Sequence, residues 1–349
     1  MNIAAAAGVL PAHRYSQPQL IEAFRAYWDG HPEQQAFLER LHLRTGVDFR
    51  HLAFPIDRYP QITSWGEANN LWIEAALDLG QRALACALTR AAIAPAAIDA
   101  LFVVSVTGVA SPSIDARLID RMGLSHNLKR IPIFGLGCVA GAAGLSRAAD
   151  YVRAYPQGVA ALLAIEICSL TLQKDDLSTA NLIASGLFGD GAAAVIVTGE
   201  QRQASGPAIL ATRSVFYSAT EDVMGWDISE KGFRIVLSPE VPEVVERNLA
   251  GDVDAFLAAN SLTRPDIGAW ILHTGGPKLL QVSARTLGLA DDALAPSWEC
   301  LARMGNLSSA SVLFVLESYM MNRRPSPGTL SVLAAMGPGF CSELLLLRW

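Results

Sequence analysis

Apolar residues recur at helical spacing over residues 19–28, 33–43 and 67–93, so the first ninety or so residues read as mostly helical. From residue 98 the pattern changes. Short β-rich runs at 101–106, 129–134, 159–165 and 192–197 alternate with helical segments of small residues, and similar runs return at 269–273, 330–335 and 342–347. That alternation predicts a layered α/β fold. The apolar runs at 158–165 and 344–347 fall far short of the roughly 20 residues that a membrane span requires, so they belong to a thick core rather than to a transmembrane segment. No low-complexity linker separates two domains.

A weak internal repeat runs through this pattern. One apolar strand ends in Thr107-Gly108 and another, 167 residues later, in Thr274-Gly275. Gly137-Cys138 and Gly305-Asn306, 168 residues apart, each open a small-residue helix. A third pair, Gly189-Asp190-Gly191 and Gly337-Pro338-Gly339, is separated by 148 residues, which predicts about twenty extra residues in the first half, at 171–185. The expectation is two similar halves, 1–205 and 206–349, packed about a pseudo-two-fold axis that brings Cys138 and Asn306 together. Chance likeness among Gly-rich turns is the competing account.

With 349 residues, 51% of them hydrophobic and 17% charged, the chain buries a large core and is not a disordered one. Its mean hydropathy is +0.29. The net charge of −6 lacks the basic stripe of a nucleic-acid-binding protein. No Lys or Arg precedes His13 and Arg14, so there is no positive n-region of a secretory signal, and a cytoplasmic location is expected. The five cysteines form no CxxC pair and the six histidines no HxxxH pair, so neither a disulfide framework nor a metal site is expected.

Cys138 lies in Gly135-Leu136-Gly137-Cys138-Val139-Ala140-Gly141, after the strand at 129–134 and at the start of a helix. The positive end of a helix dipole favours the thiolate, the nucleophilic form. A small core residue is the plain alternative. His273 follows an apolar strand and precedes the sharp turn Thr274-Gly275-Gly276-Pro277. It is a structural histidine or, beside Cys138, the partner of a thiolate–imidazolium pair. Asn306 is an N-cap or a neutral amide donor to a developing oxyanion.

Taken together, Gly137-Cys138-Val139-Ala140-Gly141, Leu187-Phe188-Gly189-Asp190-Gly191, His273-Thr274-Gly275-Gly276-Pro277, Gly305-Asn306-Leu307-Ser308-Ser309 and Gly337-Pro338-Gly339-Phe340 resemble the type III polyketide synthases, the chalcone synthase superfamily. The resemblance runs from about Arg40 to the C-terminus. It implies a thiolase-like fold, five-layered αβαβα, in a homodimer that uses coenzyme A thioesters directly, with no cofactor, carrier protein or metal. By resemblance, Cys138 holds the growing chain as a thioester, and His273 and Asn306 bind the thioester carbonyl of malonyl-CoA, stabilising the enolate left when carbon dioxide departs. Phe188 matches an aromatic gate, and Arg40 and Arg44 match residues that meet the coenzyme A phosphates, whereas a third such position, usually Lys, is Phe37 here. Without the resemblance, Arg40 and Arg44 read as one solvated helix face.

Around the pocket the second gate, Phe in the plant enzymes, aligns with Ile235, with Phe233 two positions away. Cys168, Thr171 and Thr107 fall at cavity-lining positions, and Ser308 stands beside Asn306. The segments 105–115 and 166–171 look most like the bacterial alkylpyrone synthases. The leading expectation is therefore a medium- or long-chain acyl-CoA starter, extended with malonyl-CoA and closed to an alkylpyrone or alkylresorcinol. A malonyl-CoA-primed synthase of a naphthalene or phloroglucinol product is the nearest rival, favoured by Trp226, which shortens the cavity. More distant rivals are a β-ketoacyl carrier-protein synthase and a non-catalytic thiolase-fold partner.

Overall fold

In a computed structural model, which describes residues 1–27, 32–202 and 204–349, the chain begins with β1 (Asn2–Val9). Then come β2 (His13–Ser16), α1 (Gln17–Tyr27), α2 (Pro32–His42), β3 (Phe49–Leu52) and α3 (Trp65–Ala91). Next are β4 (Ala100–Ser105), α4 (Ile114–Met122), β5 (Lys129–Phe134), α5 (Ala140–Ala154), β6 (Val159–Ile167), α6 (Thr179–Leu187) and β7 (Asp190–Thr198). The second half holds β8 (Ala208–Phe216), β9 (Met224–Ser229), β10 (Gly232–Leu237), α7 (Val241–Ala259) and β11 (Ile267–Leu272). It closes with α8 (Pro277–Leu287), α9 (Ala295–Met304), α10 (Ser311–Met321), β12 (Leu330–Gly337) and β13 (Cys341–Arg348). Trp28, expected to end the first helix, lies outside the described residues.

Among the described residues nine strands join in the order β11-β12-β13-β8-β1-β7-β6-β4-β5. The link between β8 and β1 is a single pair, Asn2 with Ala208, so the array works as two sheets meeting at one seam. On one side β4, β6, β7 and β1 are neighbours; on the other β11, β12, β13 and β8 repeat that order. β4 and β6 are parallel, as are β11 and β12, while β6 and β7, like β12 and β13, are antiparallel. The extra residues expected near 171–185 are the segment between β6 and β7, which holds α6; the matching connection in the second half is only Pro338 to Phe340.

The strands are apolar on both faces because both are covered. Ala160, Leu162 and Ala164 of β6 join a core with α5 and α10, while Ala161, Leu163 and Ile165 join another with α3. In the second half Leu333 and Leu345 face α5 and α10, and Val332, Leu344 and Leu346 face a core built from α7 and α8. The layers are thus α3, sheet, α5 with α10, sheet, α7 with α8: the five-layered thiolase-like arrangement. The small residues of α5 make the middle layer thin enough: a Cβ on Gly141 would lie 2.1 Å from the Ser309 carbonyl oxygen.

One expectation fails here. The N-terminal region is not simply helical, since it opens with β1, the strand at the seam. Its Asn-Ile-Ala-Ala-Ala-Ala-Gly-Val has no period-2 alternation because both faces are buried, and alanine favours helix in isolation. The β9–β10 hairpin was also not expected from the pattern. It is a separate two-stranded ribbon that covers the site.

Candidate active site

β5 delivers the chain to Gly137, whose φ of +54° turns it into a 3₁₀ turn, Gly137–Val139, at the head of α5. A Cβ on Gly137 would meet the Pro338 ring at 2.7 Å. Cys138 therefore stands where expected, buried at a helix start, with Sγ 3.7 Å from Ser308 Oγ. The helix end does not by itself deliver a thiolate. Burial, with the nearby charge of Glu166, pushes the thiol up to about 12, opposed by hydrogen bonds from Ser308 and Asn306.

Asn306 lies between α9 and α10. Its backbone N–H donates to Leu187 O at 2.9 Å and its carbonyl accepts from Gly189 N at 3.0 Å, so Phe188 is bridged to it. Asn306 Oδ1 accepts from Ser308 N–H at 2.8 Å and Ser311 Oγ at 3.3 Å. That fixes the amide orientation and leaves its NH2 as the end that donates towards the cysteine sulfur. Ser308 adopts φ +47°, an uncommon conformation for a residue with a side chain, held here at the cavity wall.

His273 continues the β11 ladder, its N–H donating to Ala334 O at 3.0 Å. Both ring nitrogens are buried without a hydrogen-bond partner among the described residues, and burial pushes the imidazole down to about 4. At neutral pH the isolated ring is uncharged and carries one N–H to give and one nitrogen to accept. Cys138, Phe188, His273 and Asn306 line one cavity.

Cys138 and Phe188 also line a second, larger cavity with Thr107, Cys168, Thr171, Trp226, Ile235 and Ser308. All ten expected catalytic and pocket residues thus border two cavities that share Cys138 and Phe188. Trp226 and Ile235 are direct cross-strand partners in the hairpin. Phe233 is buried against Trp65, Phe134 and Trp226, which leaves Ile235 as the gate-side residue. Arg40 and Arg44 are exposed and border neither cavity. Arg40 is on α2, but Arg44 lies in the turn beyond it, so the single helix face expected for them does not form: α2 ends at His42, whose carbonyl accepts from Thr45 Oγ1 at 2.7 Å.

Residues that the sequence reading left out of the site are Glu166 and Arg50. Glu166 is fully buried, accepting from Val106 N, Thr107 Oγ1 and Ser105 Oγ at 3.1, 2.8 and 3.3 Å, with Ser309 Oγ on its other oxygen. Burial raises its carboxyl to about 7 against these hydrogen bonds. A lone acid in the otherwise apolar run of β6 was a usable signal. Arg50, buried on β3, borders the larger cavity, and nothing in its local sequence marks it. Among the described residues no group of three or more His, Cys, Asp or Glu is placed to hold a metal, and no helix is long and apolar enough to cross a membrane.

The family descriptions "Chalcone and stilbene synthases, N-terminal domain" and "Chalcone and stilbene synthases, C-terminal domain" match residues 2–201 and 209–349. The chain belongs to this family, the type III polyketide synthases: acyltransferases that join acyl units from coenzyme A thioesters by decarboxylative condensation. It is 50% identical to the 1,3,6,8-tetrahydroxynaphthalene synthase of Streptomyces peucetius subsp. caesius over 351 residues, covering 100% of this chain and 93% of that one. It is 37% identical to a putative chalcone synthase of Bacillus subtilis, covering 97% and 96%. The crystal structure of the 1,3,6,8-tetrahydroxynaphthalene synthase of Streptomyces coelicolor A3(2) superposes with a TM-score of 0.95 at 32% identity, covering 100% and 99%. Membership sets aside the carrier-protein synthase and the non-catalytic partner.

Proposed function

We propose that this enzyme is primed by malonyl-CoA and builds an aromatic product of the naphthalene or phloroglucinol type, in place of the alkylpyrone or alkylresorcinol that its loop sequences suggest. The observation that carries this is the 50% identity, across the whole chain, to a tetrahydroxynaphthalene synthase. Trp226 on the cavity wall supports it, since an indole there limits the length of chain the cavity holds.

In the proposed reaction the Cys138 sulfur attacks the thioester carbonyl of the starter and takes its acyl group, and coenzyme A leaves as the thiol with the proton that Cys138 gives up. The neutral His273 ring donates one hydrogen bond, and the Asn306 amide another, to the thioester carbonyl of the next malonyl-CoA. As its carboxylate leaves as carbon dioxide, the bond's electron pair passes to the enolate oxygen between these donors. The enolate carbon then attacks the Cys138 thioester, and the sulfur departs as thiolate. Donors fixed in advance in a water-poor cavity stabilise that charge more than water would. Phe188 offers the malonyl carboxylate an apolar wall, which favours its loss. Arg40 and Arg44 receive coenzyme A phosphates at the surface. No cofactor beyond these thioesters is needed.

We assign the enzyme to a homodimer in the cytoplasm. Phe134, 48% exposed on the open edge of β5, supports a face covered by a second copy, and five unpaired cysteines fit a reducing compartment.

The test is incubation of purified protein with malonyl-CoA alone and with starters from acetyl- to stearoyl-CoA, reading products by mass spectrometry. An aromatic product from malonyl-CoA alone is expected. Pyrones or resorcinols from long starters only would restore the long-chain reading, which the apolar wall of Leu20, Leu52 and Ile56 favours.

A further inference from the structure

The larger cavity is apolar apart from a few groups, and one of these is a full positive charge. Arg50 is 3% exposed. Its Nη1 donates to the carbonyls of Ser185 at 2.5 Å and Phe188 at 3.0 Å. Its Nε and Nη2 have no partner among the described residues. Asp190, whose charge acts on it, forms no ion pair with it: that carboxylate accepts from Ala53 N, Ser169 N and Ser169 Oγ at 2.7, 2.8 and 2.5 Å. A guanidinium that only braced the Phe188 loop would need the two bonds it already makes. Leaving three more N–H groups buried and unmatched is costly unless an acceptor arrives with the substrate.

We propose that the free edge of Arg50 is a carboxylate subsite, which receives the negatively charged end of the acyl chain held on Cys138 and so selects dicarboxylic over purely aliphatic starters. This deepens the malonyl-primed reading and rests on it. Arg50 borders the cavity that Cys138 also lines, and a guanidinium with a free edge binds a carboxylate through two parallel N–H bonds once its side chain turns that edge towards it. No other cationic side chain borders this cavity among the described residues, so an ionised chain end has one place to go. The same side chain holds the Phe188 carbonyl, so an occupied subsite would also steady the gate.

The test loads Cys138 from succinyl-CoA and from butyryl-CoA, which differ in the terminal carboxylate and cannot lose carbon dioxide as malonyl-CoA does, and reads the acyl-enzyme by intact-protein mass spectrometry. Wild type, Arg50→Lys and Arg50→Gln are compared with both probes in one tube. The ratio of succinyl to butyryl loading is expected to fall at least tenfold in Arg50→Gln and less in Arg50→Lys. A merely bracing arginine would lower both loadings together and leave the ratio unchanged, which overturns the proposal. Should Arg50→Gln not fold, wild type decides alone: succinyl loading above butyryl supports the subsite, and succinyl loading equal to or below butyryl sinks it. Wild type given malonyl-CoA alone separates the two ideas, because aromatic product with an unchanged loading ratio condemns only the subsite.

Discussion

Cys138 Sγ and Ser308 Oγ, 170 positions apart in sequence, lie 3.7 Å from each other across the junction of the two halves. The hydroxyl opposes the burial that raises the thiol, so Ser308→Ala should raise it further. A hydrogen bond to a charged group is worth about 1.5–3 kcal/mol, or about 1–2 pH units. The pH profile of Cys138 alkylation by iodoacetamide, read at the peptide that holds Cys138, should move upward by that amount, with Cys138→Ala, which forms no acyl-enzyme and alkylates only at the other four cysteines, as the control. An unmoved profile would show that the hydroxyl does not touch the reacting form.

Asn306 offers its NH2 because its oxygen is already occupied. Asn306→Ala should slow decarboxylation of malonyl-CoA about 10²–10³-fold, the loss seen when one oxyanion donor is removed. Acyl transfer to Cys138 should suffer less. Measuring carbon dioxide release apart from acyl-enzyme formation checks this, and equal losses in both steps would argue for a general collapse of the site.

Glu166 gives a pH dependence with a definite sign. Its carboxyl, near 4.5 in the unfolded chain and about 7 in the folded one, holds its proton longer when folded. Below pH 4.5 it costs folding nothing; the cost grows as pH rises to 7 and is complete above, at up to about 3 kcal/mol. The isosteric Glu166→Gln lacks this slope, so its stability relative to wild type should improve by about that amount between pH 4.5 and pH 8. Urea unfolding across the range measures it, and parallel curves for the two proteins would refute the shift.

Gly141 leaves no room for a methyl group against the Ser309 carbonyl. Gly141→Ala should cost about 1–3 kcal/mol, seen as a lower urea midpoint with an unchanged slope. Because Ser309 also binds Glu166, turnover should fall in the protein that remains folded.

The strands that alternate with small-residue helices were legible because each is a continuous apolar run, and the equal spacing of Thr107, Cys138, Thr274 and Asn306 carried the two-fold plan. β1 was not, since a strand buried on both faces and made of alanine leaves no alternation to read. Cys138, His273 and Asn306 stood out through the turns around them. Their protonation did not: the helix start argued for a thiolate, whereas the depth of burial, a property of the whole fold, acts the other way. Arg50 had no local sign at all, because what singles it out is that its Nε and Nη2, unlike Nη1, find no acceptor among the described residues in three dimensions.

The seam strand carries a consequence for how the molecule is made. β1 is synthesised well before its partners, β7, nearly two hundred residues later, and β8 beyond that. Until β7 exists, its backbone has no ladder to join, and the first sheet cannot close. Folding must wait on contacts of very long sequence separation, which slows it and leaves an apolar edge in want of a chaperone during synthesis.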